Sequence, residues 1–144
     1  MDDKLLSLYA VCTPGLESVL FQELRGIGVY STRTTEANLA VPIPVELGSG
    51  GIEFDGTLND LYRANLHLRC ASRILLRLGS FHASKFVELT RKTGNLDWQK
   101  YITNQHPLAF RVTAHRSRLY HSGAVAERIA AGIAERVGFQ PVIE

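Results

Sequence analysis

Arg111, His115, Arg116, Arg118, Tyr120 and His121 stand close together in the stretch FRVTAHRSRLYHSG, and their types suit the capture of a phosphate-bearing strand. Permanently charged guanidinium groups at this spacing could reach successive phosphates, which positions a nucleic acid without reading its bases. The phenol and imidazole rings beside them could stack on an unpaired base, as recognition of single-stranded RNA often requires. Lys85, Arg91 and Lys92 form a second basic group on a neighbouring predicted helix. The plainer reading is that Arg111 and His115 line the solvent face of a half-buried strand while Tyr120 packs inward.

The elements that must carry these side chains can be read from periodicity. Leu108, Phe110, Val112 and Ala114 alternate with Arg111, Thr113 and His115, which predicts a strand over 108–114 with Pro107 at its start. A polar turn from Arg116 to Ser122 leads into a helix with Val125, Ile129, Ile133 and Val137 four apart and Ala126, Ala130 and Ala134 beside them. Ser122 could cap its first amides, Gly138 could close it and Pro141 could keep it closed. The basic turn thus sits against a helix N-terminus, whose exposed amides favour anions.

Catalysis needs more than these residues offer. His115 and His121 with Ser117 or Ser122 could make a nucleophile and base, and His106 with His115 a metal pair, but neither has a recognised spacing or a third member. Glu88 and Asp97 are the only carboxylates in residues 62–121. Cys12 and Cys70 are too few and too far apart for a disulfide framework or a zinc site and read as small hydrophobes.

Composition sets the frame: 144 residues, 45% hydrophobic and 21% charged, describe an ordinary globular chain of one domain or two small ones. The acidic start MDDK and an apolar run broken at Thr13 and Pro14 are unlike a secretory signal, so a cytoplasmic protein with no membrane partner is expected. The net charge of +2 conceals a strong asymmetry. Lys and Arg against Asp and Glu number 3 and 9 in residues 1–61, 11 and 2 in 62–121, and 2 and 3 in 122–144. A basic block on an acidic support fits a surface that displaces counterions from a polyanion. It also fits charges spread around a solvated exterior.

In chain order, Leu5–Cys12 predicts a strand, and Thr13 and Pro14 predict the start of a helix carrying Leu16, Val19, Leu20, Leu24 and Ile27. Thr35–Val45 looks extended, with Pro42 and Pro44 marking an edge. Gly48–Gly51 turns the chain into a strand at Ile52–Phe54, without the spacing of a phosphate-binding loop. Thr57 and Asp60 suggest a capping box on a helix burying Leu58, Leu61, Tyr62 and Asn65 or Leu66, and Arg73–His82 returns to alternation. This order predicts an α+β protein: a ferredoxin-like antiparallel sheet with two helices over 1–82, followed by an incomplete α/β domain over 83–144. There Ser84 could cap a helix through Phe86 and Leu89, and Leu96–Ile102 predicts a short helix presenting Trp98. Its lone strand would leave edges through which copies could pair in a homodimer.

The segments TPGLESVLFQELRGIG, GGIEFDGTLNDLYRANLHLRCASRILLRLGSF, LDWQKYI and FRVTAHRSRLYHSGAVAERIAAGIAERVG together resemble the N-terminal half of bacterial THUMP-domain RNA methyltransferases, particularly those forming N2-methylguanine in large-subunit ribosomal RNA. The resemblance implies that 1–82 is a ferredoxin-like domain and 83–144 the first part of a THUMP domain, both capturing structured RNA, ribosomal before transfer RNA. It implies that S-adenosylmethionine belongs to a separate catalytic domain. Neither a glycine-rich cofactor loop nor an Asn/Asp-Pro-Pro-Tyr motif occurs here, so this chain is expected to hold no cofactor and to methylate nothing alone.

Overall fold

Leucine and alanine alternate with polar residues in the first strand, and that alternation organises one of the two units of the chain. The computed structural model describes residues 5–29, 33–34, 40–41, 48–104, 107–114 and 116–142, and divides into Met1–Arg77 and Leu78–Glu144. The first unit runs β1 (Leu6–Val11), α1 (Glu17–Gly26), β2 (Arg33–Thr34), β3 (Ala40–Val41), β4 (Gly51–Gly56), α2 (Leu58–His67) and β5 (Arg73–Leu76). The second holds α3 (Phe86–Gly94), a 3-10 turn (Trp98–Lys100) and α4 (Ser122–Val137).

β1 is the centre of a three-stranded antiparallel sheet, flanked by β4 and β5. Its register places Leu8 between Phe54 and Leu76, and Ala10 between Ile52 and Ile74. Those residues face Leu20 and Leu24 of α1 and Ala64 of α2 in one core, the α+β ferredoxin-like arrangement expected. Among the described residues β2 and β3 pair only with each other. Most of the predicted strand at 35–45 lies outside the described residues.

Several boundaries differ from expectation for local physical reasons. α1 begins at Glu17, three residues beyond Pro14, because Gly15 adopts a positive φ of 97° and the Leu16 amide closes a turn on the Thr13 carbonyl at 3.0 Å. Leu16 and Val19 are exposed, while Leu20 and Leu24 enter the core. β5 ends at Leu76 rather than His82, since β1 starts at Leu6 and leaves the later residues without a ladder partner. On α2 the Thr57–Asp60 capping box forms as read, but Leu58, Tyr62 and Leu66 are exposed, and the helix packs through Leu61, Ala64 and Leu68.

Glu17 is a charged residue in a fully buried position that sequence patterning did not single out. Its carboxylate accepts the amides of Gly15 at 2.9 Å, Gly48 at 3.0 Å and Gly50 at 2.9 Å, tying the start of α1 to the glycine turn before β4. The Gly50 amide, with its own backbone amide and those of Gly48 and Gly15, holds this carboxyl below the usual carboxylate range against the opposing effect of burial. A carboxyl depressed on folding stabilises above its ordinary pKa, and that stabilisation is lost as pH falls through the lower folded value. Urea midpoints measured from pH 7 down to pH 3 are therefore expected to fall more steeply for the parent chain than for Glu17→Gln, which is already weaker at pH 7. Parallel profiles would refute this role.

In the second unit, α3 and α4 pack with almost no side-chain spacer. A Cβ on Gly132 would lie 2.5 Å from the Thr90 carbonyl oxygen, and one on Gly94 would lie 3.2 Å from the Gly132 carbonyl oxygen. Leu89, Thr93, Val125, Ala130 and Ile133 are buried around this crossing. The predicted helix at 96–102 shortens to the 3-10 turn, which latches both helices: Trp98 Nε1 donates to the Thr93 carbonyl at 2.7 Å, and Gln99 Nε2 to the Arg136 carbonyl at 2.9 Å. Ser84 does not cap α3, because its amide and hydroxyl both donate to Glu88. Nor does Ser122 cap α4; it is the first helical residue, behind His121 at the N-cap. Gly138 closes α4 in the left-handed conformation, φ 81°.

Candidate nucleic-acid interface

The chain from Pro107 to Ala114 is not a ladder strand. Leu108, Phe110 and Val112 are half-buried and alternate with exposed Arg111 and Thr113, but the Leu108 amide meets only the Val142 carbonyl, at 2.7 Å, in an isolated bridge. Alternation makes a strand only where a neighbour supplies backbone partners, and among the described residues this segment has a single such bridge. Arg111 accordingly stands on an extended segment, lining a groove of about 370 Å³ with Phe110, Val112 and the first turn of α4 at Ser122 and Gly123.

The basic turn has a defined backbone. Arg116 sits at φ 48°, a left-handed conformation that reverses the chain, and the Ser117 hydroxyl accepts the Leu119 amide at 3.1 Å to hold the next step. Arg116, Ser117 and Arg118 then line a second groove, about 630 Å³, with Phe81, His82, Ala83 and Ser84. Tyr120 is 67% exposed rather than packed inward, and its ring lies 4.1 Å from that of His121 at a 40° tilt. Two guanidinium groups and an open aromatic pair therefore flank the N-terminus of α4. His115 and His106 lie outside the described residues.

The second basic group divides by role. Lys85 is exposed at the N-cap of α3. Lys92 donates its ammonium to the His82 carbonyl at 2.5 Å, which ties α3 to the segment that lines the Arg116 groove. The Glu88 carboxyl, held by the Ser84 amide and hydroxyl and by nearby Lys92, stays below its usual range. Arg91 lines a third groove, of about 500 Å³, together with Arg128 and Arg136. Arg128 and Arg136 were missed because residues 122–144 are acidic on balance; their spacing of two helical turns is the signal that could have found them.

Basic residues of the first unit are engaged differently. Arg77 pairs with Glu53 at 3.1 Å and lies over the Tyr9 ring, and Arg63 reaches the Ile27 carbonyl at 3.3 Å and Asp60 at 3.9 Å. The Glu23 carboxylate accepts the amides of Arg69 and Cys70. Burial raises the thiols of Cys12 and Cys70, so both are poor nucleophiles. Among the described residues no three His, Cys, Asp or Glu converge as metal ligands, and no helix is long and apolar enough to cross a membrane.

Residues 7–42 and 37–75 match the family of the RlmL ferredoxin-like domain. The first unit is an RlmL ferredoxin-like domain. With this domain at its start, the chain is similar to the ribosomal RNA large subunit methyltransferase K/L of Syntrophotalea carbinolica, 28% identical across 93% of the chain and 17% of that protein. It is also similar to the same-named protein of Methylococcus capsulatus, 31% identical across 89% of the chain and 16% of that protein. The chain thus spans about one sixth of the curated relatives it matches. Among solved structures, that of SMU.472 complexed with SAH superposes with a TM-score of 0.78 at 26% identity, covering 95% of this chain and 33% of that one. The residues described here do not fit such a cofactor. The glycine cluster of the RlmL-type domain has its Gly48 and Gly50 amides taken by Glu17, so it cannot cradle a further anionic or carboxylate-bearing group.

Proposed function

We propose that this chain is the RNA-capturing N-terminal region of a cytoplasmic ribosomal RNA methyltransferase, with Leu78–Glu144 as the first part of a THUMP domain. The methyl group would come from S-adenosylmethionine held in a catalytic domain elsewhere in the longer protein, with guanine N2 as its target. One observation carries the reading: Arg116 and Arg118 share a groove, with the exposed Tyr120–His121 ring pair next to them in the chain. Cations so placed neutralise phosphates, and rings so exposed accept an unpaired base. The names of the relatives support ribosomal RNA as the target.

Binding of the whole chain to a fluorescein-labelled RNA hairpin with an unpaired loop, followed by anisotropy, tests it. Affinity should fall by at least about tenfold between roughly 50 and 200 mM salt, because each neutralised phosphate releases counterions. Affinity for the hairpin that does not change with salt, or none at all at low salt, would refute RNA capture. A module serving only to pair copies of the chain would give that second result.

A further inference from the structure

The groove between α3 and α4 is built differently from the one at Arg116. Arg91 comes from α3, and Arg128 and Arg136 come from α4, with Thr90, Asn95 and Glu135 completing most of its lining. Three guanidinium groups thus face a single lining carboxylate. Arg136 is 3.9 Å from Asp97, at the outer limit of an ion pair. Arg91 and Arg128 make no ion pair among the described residues, and both are exposed. Their separation is set by the close crossing at Gly94 and Gly132, so two unneutralised forks are held by rigid helices rather than by a loop. The Thr90 hydroxyl is turned back onto the Phe86 carbonyl at 3.2 Å.

No aromatic ring lines this groove, which separates it from the Tyr120–His121 region. It can neutralise a backbone but cannot stack a base. We infer that Arg91 and Arg128, with Arg136 beside them, form a second, sequence-independent phosphate site that holds a further stretch of the RNA backbone. This rests on the RNA-capture reading above and extends it to the outer face of the helix pair. Guanidinium suits the task because its planar donor fork meets two phosphate oxygens at once.

The test compares the parent chain with Arg91→Gln/Arg128→Gln on the same labelled hairpin across salt. Losing two phosphate contacts should lower the slope of log affinity against log salt by about 1.4–1.8 and weaken low-salt binding roughly tenfold. Arg91→Lys/Arg128→Lys keeps the charge and should keep most of the slope. If the glutamine variant retains the parent slope while Arg116→Ala/Arg118→Ala loses affinity, this groove is not a phosphate site and RNA capture stands. If the lysine variant falls as far as the glutamine variant, the effect is on packing and the inference fails. If the parent does not bind the hairpin, the RNA reading itself fails.

Discussion

Gly132→Val is expected to lower the stability of the second unit by about 3 kcal/mol or more, the upper range for overpacking a closed contact. The position tolerates no Cβ: one would stand 2.5 Å from the Thr90 carbonyl oxygen, 3.1 Å from Thr93 Cβ and 3.2 Å from the Gly94 amide nitrogen. Two of those three neighbours are backbone, so relief requires α3 to move away from α4. That movement would also strain the Trp98 bond to the Thr93 carbonyl, and Trp98 is the sole tryptophan, so its fluorescence reports on this unit during urea unfolding. Gly123→Ala supplies the opposite sign within the same helix. Nothing lies within 4 Å of its added methyl, and alanine should gain roughly 0.5–1 kcal/mol through lost chain entropy in the unfolded state. A Gly132→Val chain that unfolds at the parent's urea concentration would contradict the crossing described.

Arg116→Ala/Arg118→Ala is expected to weaken binding of the labelled RNA hairpin by roughly 10- to 100-fold at low salt and to reduce the salt slope by about 1.4–1.8. Both arginines line one groove, and the left-handed backbone at Arg116 is borne by alanine at similar strain, so the fold should survive the change. Unchanged urea unfolding with lost affinity would assign the effect to contact with the RNA. Tyr120→Ala removes the exposed ring without altering charge and should weaken binding with the salt slope preserved, because stacking releases no counterions. Full affinity in the double arginine variant would remove the site from this turn.

The two substitutions probe parts of the chain that differ in how far local pattern revealed them. The ferredoxin-like unit was largely legible because its signals are short-range. Leu8 and Ala10 alternate with Ser7 and Tyr9, Ile74 and Leu76 alternate with Arg73 and Leu75, and Thr57 meets Asp60 within one helical turn. Gly138 likewise ends α4 through its own left-handed conformation. The charge pattern was legible only as composition. It placed Arg63 and Arg77 in the same basic block as Arg116 and Arg118, whereas the fold sets the first two against Asp60 and Glu53. It also left Arg128 and Arg136 in a stretch that counts as acidic, although both line a groove with Arg91.

By itself the sequence determined the α+β order of elements, the alternation that builds β1, the capping of α2 and the clustering of arginines around Arg116, because each depends on neighbours a few residues away. Tertiary structure alone decided that Glu17 is buried, since the Gly48 and Gly50 amides that accept its charge come from 31 and 33 residues along the chain. It decided that 108–114 forms no ladder and that Tyr120 faces outward, because pairing and burial depend on which distant segment is adjacent. It also decided that Gly132 carries no side chain for want of room, a constraint that exists only once α3 is in place.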